Sequence, residues 1–524
     1  MNNKKVIQPF VSRFESYKNI LSDYSWERGV SNFFLEKIPF SFSTGSFWAT
    51  KVTQLLEELT SDTKEDCHSY EWGAGLGILS KQVLDILKET NIDLYNRTLL
   101  HISDFSEALI SELASRNVFC GHEKAYDFMV NDITKPKLYK DIKAQFMYLT
   151  YLLTSLPTRH IEVEDGVIYE IQVQTTINPR ATILDTTTYP PKTLNAKAIK
   201  EMFTIDNKEK LILLCSKISP ILFETPKRIP IQKINNFIAE EHNDLTDFVE
   251  TLDTKNKCIR FNYSFYINKA ITKLLDSLSE TGAILIYDFG FTDAYKHREF
   301  SDLNLHLGIA YAFPIFAPYI EYLCKKNNSH CYINSFAEGQ DQIMVIGKNN
   351  NIKKISSKIF SNAFGSNEIS VINKILSHPE PDKVSLSQIE SILAKLIESE
   401  RDSFYILSSL GSYYLKIKRY DLAKHFINKT LNTYSSIAIS SYMILGQIAL
   451  KEENLTLAKD YFNKVTLISP YYPEAYNHLS IVNAKENNFS EFLRLAKLFI
   501  RYSIDDDIEH HLKAIGLIES KLKN

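Results

Sequence analysis

Between Ser69 and Leu149 the chain alternates short apolar runs with amphipathic helical stretches, and this alternation restricts the fold more than any other feature. Apolar runs at Ser69–Trp72, Leu99–Ile102, Ala125–Val130 and Ala144–Leu149 flank helical periodicity at Ile78–Lys88 and Ser106–Arg116. Strands joined by helices at this spacing predict an α/β fold with a parallel, doubly wound sheet. The sheet resumes at Gly282–Gly290, whose apolar run suits a strand buried on both faces. Tyr332–Phe336 and Gln342–Ile346 then supply a closing antiparallel pair. In between, Ile161, Val163, Val167, Tyr169, Ile171 and Val173 alternate with polar residues around Asp165-Gly166, a hairpin signal. Residues 192–280 read as a mostly helical insertion, and residues 1–66 as a helical lead-in with Phe47, Val52, Leu55, Leu56 and Leu59 at helical spacing.

The tail repeats itself. Leu410-Gly411, Tyr414 and Ala423 recur as Leu445-Gly446, Ala449 and Ala458; Phe462 and Pro470 close the second unit, and a degraded third carries Tyr476, Leu479, Ser480 and Ala496. This is the period of a tetratricopeptide repeat, about 34 residues, with small residues where paired helices approach. The organisation expected is therefore a lead-in over 1–66, an α/β domain over 67–347 with its insertion at 192–280, a helical connector over 351–400 and a repeat module over 401–524. So short a solenoid is expected to pack against the α/β domain or another protein.

Composition excludes several classes. Sixty Lys and Arg against sixty-three Asp and Glu leave a net charge of −3, without the basic excess that nucleic-acid binding requires. The six cysteines form no C-x-x-C pair, which argues against a disulfide framework or a zinc site and fits a reducing compartment. No signal-like segment opens the chain, and no apolar stretch of about 18 residues occurs, so a cytoplasmic protein with no membrane partner is expected. His-Glu-x-x-His and Gly-x-Ser-x-Gly are absent, leaving no motif for metal or hydrolase chemistry.

Glu71-Trp-Gly73-Ala74-Gly75-Leu-Gly77 closes the first strand and opens a helix. Glycines let backbone approach a ligand, and a helix start offers unpaired N–H groups. The spacing is G-x-G-x-G, unlike the dinucleotide fingerprint, and no P-loop lysine follows. Asp104 ends the second strand, where a carboxylate can accept from ribose hydroxyls; Asp132 follows the third, suited to an adenine amino group. Each acid alone could be a cap. Three such loops opening at one sheet edge favour a shared ligand.

This arrangement resembles the class I S-adenosylmethionine-dependent methyltransferases, with their Rossmann-like sheet. It is closer still to their MidA-like branch of protein arginine methyltransferases, which includes mitochondrial complex I assembly factors. The segments that carry the likeness are Phe42-Ser-Thr-Gly-Ser46, His101-Ile-Ser-Asp-Phe-Ser-Glu-Ala-Leu109, Leu156-Pro-Thr-Arg-His-Ile161 with the Gly166 hairpin, and Ile286-Tyr-Asp288-Phe-Gly290. The resemblance implies S-adenosyl-L-methionine as cofactor, with Gly73, Gly75 and Gly77 near its methionine portion. It implies Asp104 near the ribose, Asp132 near the adenine and Glu71 shaping the loop, with Ala74, Phe105 and Ile133 also among the cofactor-binding residues.

Departures from the family fall on the acceptor side. Thr150-Tyr-Leu-Leu-Thr154 stands where an acidic Asn-Glu-Phe-Phe-Asp is usual, and Asn262 where another acid is expected. Acidic groups would hold a guanidinium, so either the acceptor differs or carboxylates arrive from elsewhere in the fold. Candidate catalytic groups are Tyr151, Thr154, Tyr287 and Asp288, the last a base or cation anchor if it faces the pocket and a turn cap if it does not. Arg159, His160 and His297 are candidates for substrate binding, although the charged stretch around His297 reads first as a solvated loop. The expected function is methyl transfer to a protein or peptide side chain, an arginine nitrogen first, with the repeats recruiting substrate or partner. The alternatives are a small-molecule methyltransferase whose repeats mediate homodimerisation, and a non-catalytic assembly adaptor that retains the fold.

Overall fold

The computed structural model describes residues 4–30, 45–139, 142–205, 207–254, 257–293, 300–335, 340–361, 387, 391, 404–504 and 508–523. Its centre is a sheet whose seven principal strands are β1 (Cys67–Trp72), β2 (Thr98–Asp104), β3 (Tyr126–Val130), β4 (Ala144–Thr150), β5 (Leu278–Phe291), β6 (His330–Ser335) and β7 (Gln340–Gly347). Their spatial order is β6-β7-β5-β4-β1-β2-β3, with β7 antiparallel to both neighbours and the other pairs parallel. Chain direction across the sheet reverses between β1 and β4, which makes a crevice at their carboxyl ends. Ile284, Ile286 and Met147 are buried on one face, Leu285, Tyr287 and Tyr148 on the other. That two-sided burial is why these strands read as unbroken apolar runs.

A second, five-stranded sheet grows from the hairpin after β4. Arg159–Glu164 and Val167–Ile177 pair across Asp165 (φ 51°) and Gly166 (φ 75°), as a two-residue turn with left-handed backbone requires. Two sequence expectations change here. The lead-in is not all helix, because Lys5–Val11 is a strand paired with Val167–Ile177. Its register slips on both sides of Gln8, so the run around Pro9 gave no clean alternation. The 192–280 insertion carries strands among its helices: Leu222–Pro230 pairs along Val167–Ile177, and Ile259–Tyr263 along Arg159–Glu164. Pro226 and Pro230 mask the first of these as a strand. Helices Ala196–Met202, Lys208–Ile218, Ala239–Glu250 and Phe265–Ser277 make up most of the remainder.

Among the described residues, seven helices from Phe404 to Lys523 form the repeat module: three antiparallel pairs and a final helix. Lys418 (φ 61°), Glu453 (φ 61°) and Asn487 (φ 59°) take the same left-handed turn one repeat apart. A Cβ on Gly446 would lie 2.5 Å from Phe462, and one on Gly411 would collide with Ile427, so these glycines permit the close helix pairing. The module folds back on the α/β domain. One apolar cluster runs from Trp48, Leu84 and Leu87 to Ile437, Tyr442 and Phe462, and Gln82 Nε2 donates to the Tyr434 hydroxyl at 2.8 Å. At its other end Leu184 packs among Phe492, Ala496 and Ile515, and Lys497 Nζ lies 4.4 Å from the Tyr189 ring centroid. Of the expected connector, a helix spans Ile352–Phe360; residues 362–400, apart from 387 and 391, lie outside those described. No helix among the described residues is long and apolar enough to cross a membrane.

Candidate active site

The crevice between β1 and β4 opens into a cavity of about 370 Å³. Trp72 and Gly73 from the end of β1, Phe105 after β2, Asn131 to Lys135 after β3, and Leu152 and Ser155 to Pro157 after β4 line it. Asn19, Asp23, Trp26 and Tyr266 close its outer side. Four residues expected at a cofactor site, Gly73, Phe105, Asp132 and Ile133, therefore share one wall system. Gly73 stands at φ 75°, and a Cβ there would meet Leu152 at 3.2 Å, so a side chain would be strained and would crowd the cavity. Phe105 leaves its ring 50% exposed, an apolar face available to a flat ligand.

The other expected cofactor residues brace this wall. Gly73 and Ala74 N–H groups both donate to the Ser103 carbonyl at 2.9 Å, fastening the loop to β2. Gly75 N–H donates to Asp104 Oδ2 at 3.4 Å and Ser106 N–H to Oδ1 at 3.0 Å. Burial pushes the Asp104 carboxyl up to about 6, against the pull of those donors. Glu71 is wholly buried: Ser80 donates to it, and the Ser80 hydroxyl is 2.6 Å from that of Tyr148. Desolvation, opposed by Ser80 and reinforced by Asp104, raises Glu71 to about 8, so it is largely a neutral acid at pH 7. Gly77 packs away from the cavity, since a Cβ there would press on Phe119 at 3.1 Å. It serves the start of the following helix.

Among the described residues, none of those expected on the acceptor side lines the cavity. Asp288 is fully buried and accepts from Thr154 N (3.1 Å), Thr154 Oγ1 (2.6 Å) and Phe289 N (2.9 Å). It ties the exit of β4 to β5, which accounts for both Asp288 and Thr154. Burial, only partly offset by these donors, raises its carboxyl to about 7. Tyr151 turns away at φ 52°, donates to Asp341 Oδ1 at 2.9 Å and packs on Tyr287, itself buried against Trp48. Arg159 is bound by Glu241 (2.7 and 3.1 Å), Glu170 (3.0 Å) and Ser12 (2.7 Å) in the second sheet. His160 beside it is fully buried, and desolvation with nearby Arg13 holds its imidazole well below the usual range. Both are structural for the same reason: their neighbours come from Ser12, Arg13 and Glu241, far away in sequence. Asn262 donates to the carbonyls of Leu303 and Pro314 at 3.0 Å each, which a carboxylate there could not do. His297 and Phe42 to Thr44 lie outside the described residues.

What sequence reasoning missed is the outer wall. Asn19, Asp23 and Trp26 share a face of helix Tyr17–Trp26 at i, i+4, i+7 spacing, a pattern visible in the sequence but without a sign of what it faces. Leu152 sits in the segment where only polar contacts were sought. Among the described residues no three His, Cys, Asp or Glu side chains are grouped to hold a metal ion.

Residues 48–304 match the family model described as "Putative S-adenosyl-L-methionine-dependent methyltransferase", and residues 439–472 match a tetratricopeptide repeat. No curated protein matches the chain. Among solved structures, an uncharacterized Burkholderia thailandensis protein aligns at 10% identity and a TM-score of 0.41, covering 64% of this chain and 87% of its own. A second protein from that organism, a "likely methyl transferase" bound to S-adenosyl-homocysteine, aligns at 9% identity and a TM-score of 0.41, covering 65% of this chain and 88% of its own. Human N-acetylserotonin methyltransferase in complex with S-adenosylmethionine aligns at 9% identity and 0.27, covering 64% and 58%.

Proposed function

Taking residues 48–304 as a member of the S-adenosyl-L-methionine-dependent methyltransferase family, with S-adenosylmethionine as cofactor, we propose that the chain methylates a side chain of a protein or peptide, an arginine nitrogen first. The carrying observation is a repeat module built into the same body as the cavity. Its first pairs join the core of the helix that leaves the glycine loop, and its last pair grips the 182–195 hairpin. Repeat modules of this kind present surfaces to peptides, which favours a macromolecular acceptor over a metabolite.

The cavity suits the cofactor. Gly73 leaves room for its amino-acid portion, Phe105 and Ile133 offer apolar faces for the base, and Asp132 offers a carboxylate for amino or hydroxyl groups. When bound, the cofactor supplies an electrophilic methyl group on a sulfonium. The protein's share of catalysis is then to orient the acceptor in line with that methyl and keep water out. Glu71 and Asp104 hold the loop rigid for that purpose.

The test uses the full chain, because removing 401–524 would uncover the apolar cluster shared with the α/β domain. Labelled S-adenosylmethionine is incubated with the protein and a lysate divided by ultrafiltration. Label is expected in the macromolecular fraction and lost with Gly75→Arg, which inserts a long side chain where φ is 53°. Label confined to the small-molecule fraction would replace this reading with a metabolite methyltransferase.

A further inference from the structure

We propose that Asp23 makes the outer end of the cavity an anionic subsite for a cationic nitrogen on the acceptor, an assignment that rests on the methyltransferase reading above. Helix Tyr17–Trp26 presents two unlike faces. Leu21, with Tyr17 and Tyr24, packs into the apolar cluster of Leu211, Leu214 and Ile218. The opposite face carries Asn19, Asp23 and Trp26 to the cavity. The apolar side fixes the rotation of the helix, so the carboxylate is held at the cavity by packing.

The charge environment is one-sided. Asp23 receives Asn19 Nδ2 at 3.4 Å, and no Lys, Arg or His among the described residues pairs with it. Glu27, one turn on, pairs outward with Lys208 at 2.9 Å. The cavity's other formal charges, Asp132 and Lys135, both come from the loop after β3. Asp23 is exposed, as a group presented to an open cavity must be, yet the walls crowd it. That enclosure, with Glu27, pushes its carboxyl up to about 7. A bound cation offsets this desolvation and the Glu27 repulsion, drawing the carboxyl back toward its ionised form.

Trp26 and Tyr266 complete the chemistry. Both line the same cavity as Asp23, and aromatic side chains together with a carboxylate suit a guanidinium or ammonium, which can gain from cation–π contact and a charge-assisted hydrogen bond. The acids absent from Thr150–Thr154 and from Asn262 are thus replaced by one from the N-terminal helix. A carboxylate acceptor is disfavoured by the same charge.

The experiment measures binding, independent of turnover. Full-length wild type and Asp23→Asn are titrated calorimetrically with S-adenosyl-homocysteine and with two adenosine thioether probes, one ending in an alkylguanidinium and the other in an uncharged carboxamide. The wild type is expected to prefer the guanidinium probe by about tenfold, the scale of one hydrogen bond to a charged group. The preference should rise between pH 6 and pH 8 as Asp23 ionises, and vanish in Asp23→Asn while S-adenosyl-homocysteine affinity stays unchanged. Equal affinity of the wild type for both probes, or a preference surviving in Asp23→Asn, overturns the subsite. Loss of S-adenosyl-homocysteine binding in the variant alone makes Asp23 structural and overturns it too. Failure of the wild type to bind S-adenosyl-homocysteine overturns the methyltransferase reading itself, and the subsite with it.

Discussion

Replacing Asp288 by alanine separates a positioning carboxylate from a reacting one. The side chain is fully buried and satisfies three donors, the amide and hydroxyl of Thr154 and the amide of Phe289. Alanine leaves all three in a space water enters poorly. At about 1 kcal/mol for each orphaned donor, the low end of the usual range, the loss is about 3 kcal/mol. The carboxyl is raised to about 7, so near neutrality little ion-burial cost is recovered in return. At about 2.1 cal/mol/K of unfolding entropy per residue, a body of 524 residues then loses about 3 °C in melting temperature. Circular dichroism melts give the temperature, and calorimetry at 15 °C, where the variant is still folded, gives the affinity for S-adenosyl-homocysteine. A lower melting temperature with cofactor affinity within about threefold of wild type is expected. An unchanged melting temperature with methyl transfer abolished would refute the reasoning and return Asp288 to the reacting groups.

Glu71 binds its proton more tightly in the fold, at about 8, than at its ordinary value of 4.5, so its contribution to stability is greatest below that ordinary value and declines as pH rises toward 8. Urea denaturation from pH 5 to pH 8.5 should therefore show falling stability, with the fall reduced in Glu71→Gln; an identical pH slope in the variant would contradict the burial argument. In the repeat module, Gly446→Ala drives a methyl group to 2.5 Å from the Phe462 ring and should cost about 1–2 kcal/mol, overpacking outweighing the gain in helix propensity. Gly516→Ala, with nothing within 4 Å, should instead gain up to about 1 kcal/mol. Equal effects of the two substitutions in thermal melts would show that helix contact does not explain these glycines.

The central sheet was legible because its signals are local. The expected run Ala144–Leu149 became strand Ala144–Thr150, and the periodicity at Ile78–Lys88 became helix Ile78–Thr90, since burial on both faces or on one stripe writes itself into a few consecutive residues. The Asp165-Gly166 turn was readable for the same reason: left-handed backbone selects its own residues. The repeats announced themselves through glycines that pairing helices require. Roles in the cavity were another matter. Gly73, Phe105, Asp132 and Ile133 lie where a strand ends, so topology alone carried them to one edge. Asp288 and Arg159 carry the same chemistry in the sequence as an active-site acid or base would. Only Thr154, and Ser12 with Glu241, made them braces. Asp23 is the converse: an ordinary helical aspartate until Leu21 and its neighbours, packing against residues nearly two hundred positions away, fixed the rotation of its helix. Sequence thus determined the elements and their order, which depend on neighbours along the chain. The tertiary structure decided which charged groups face the cavity, because a side chain's partners depend on how distant segments pack.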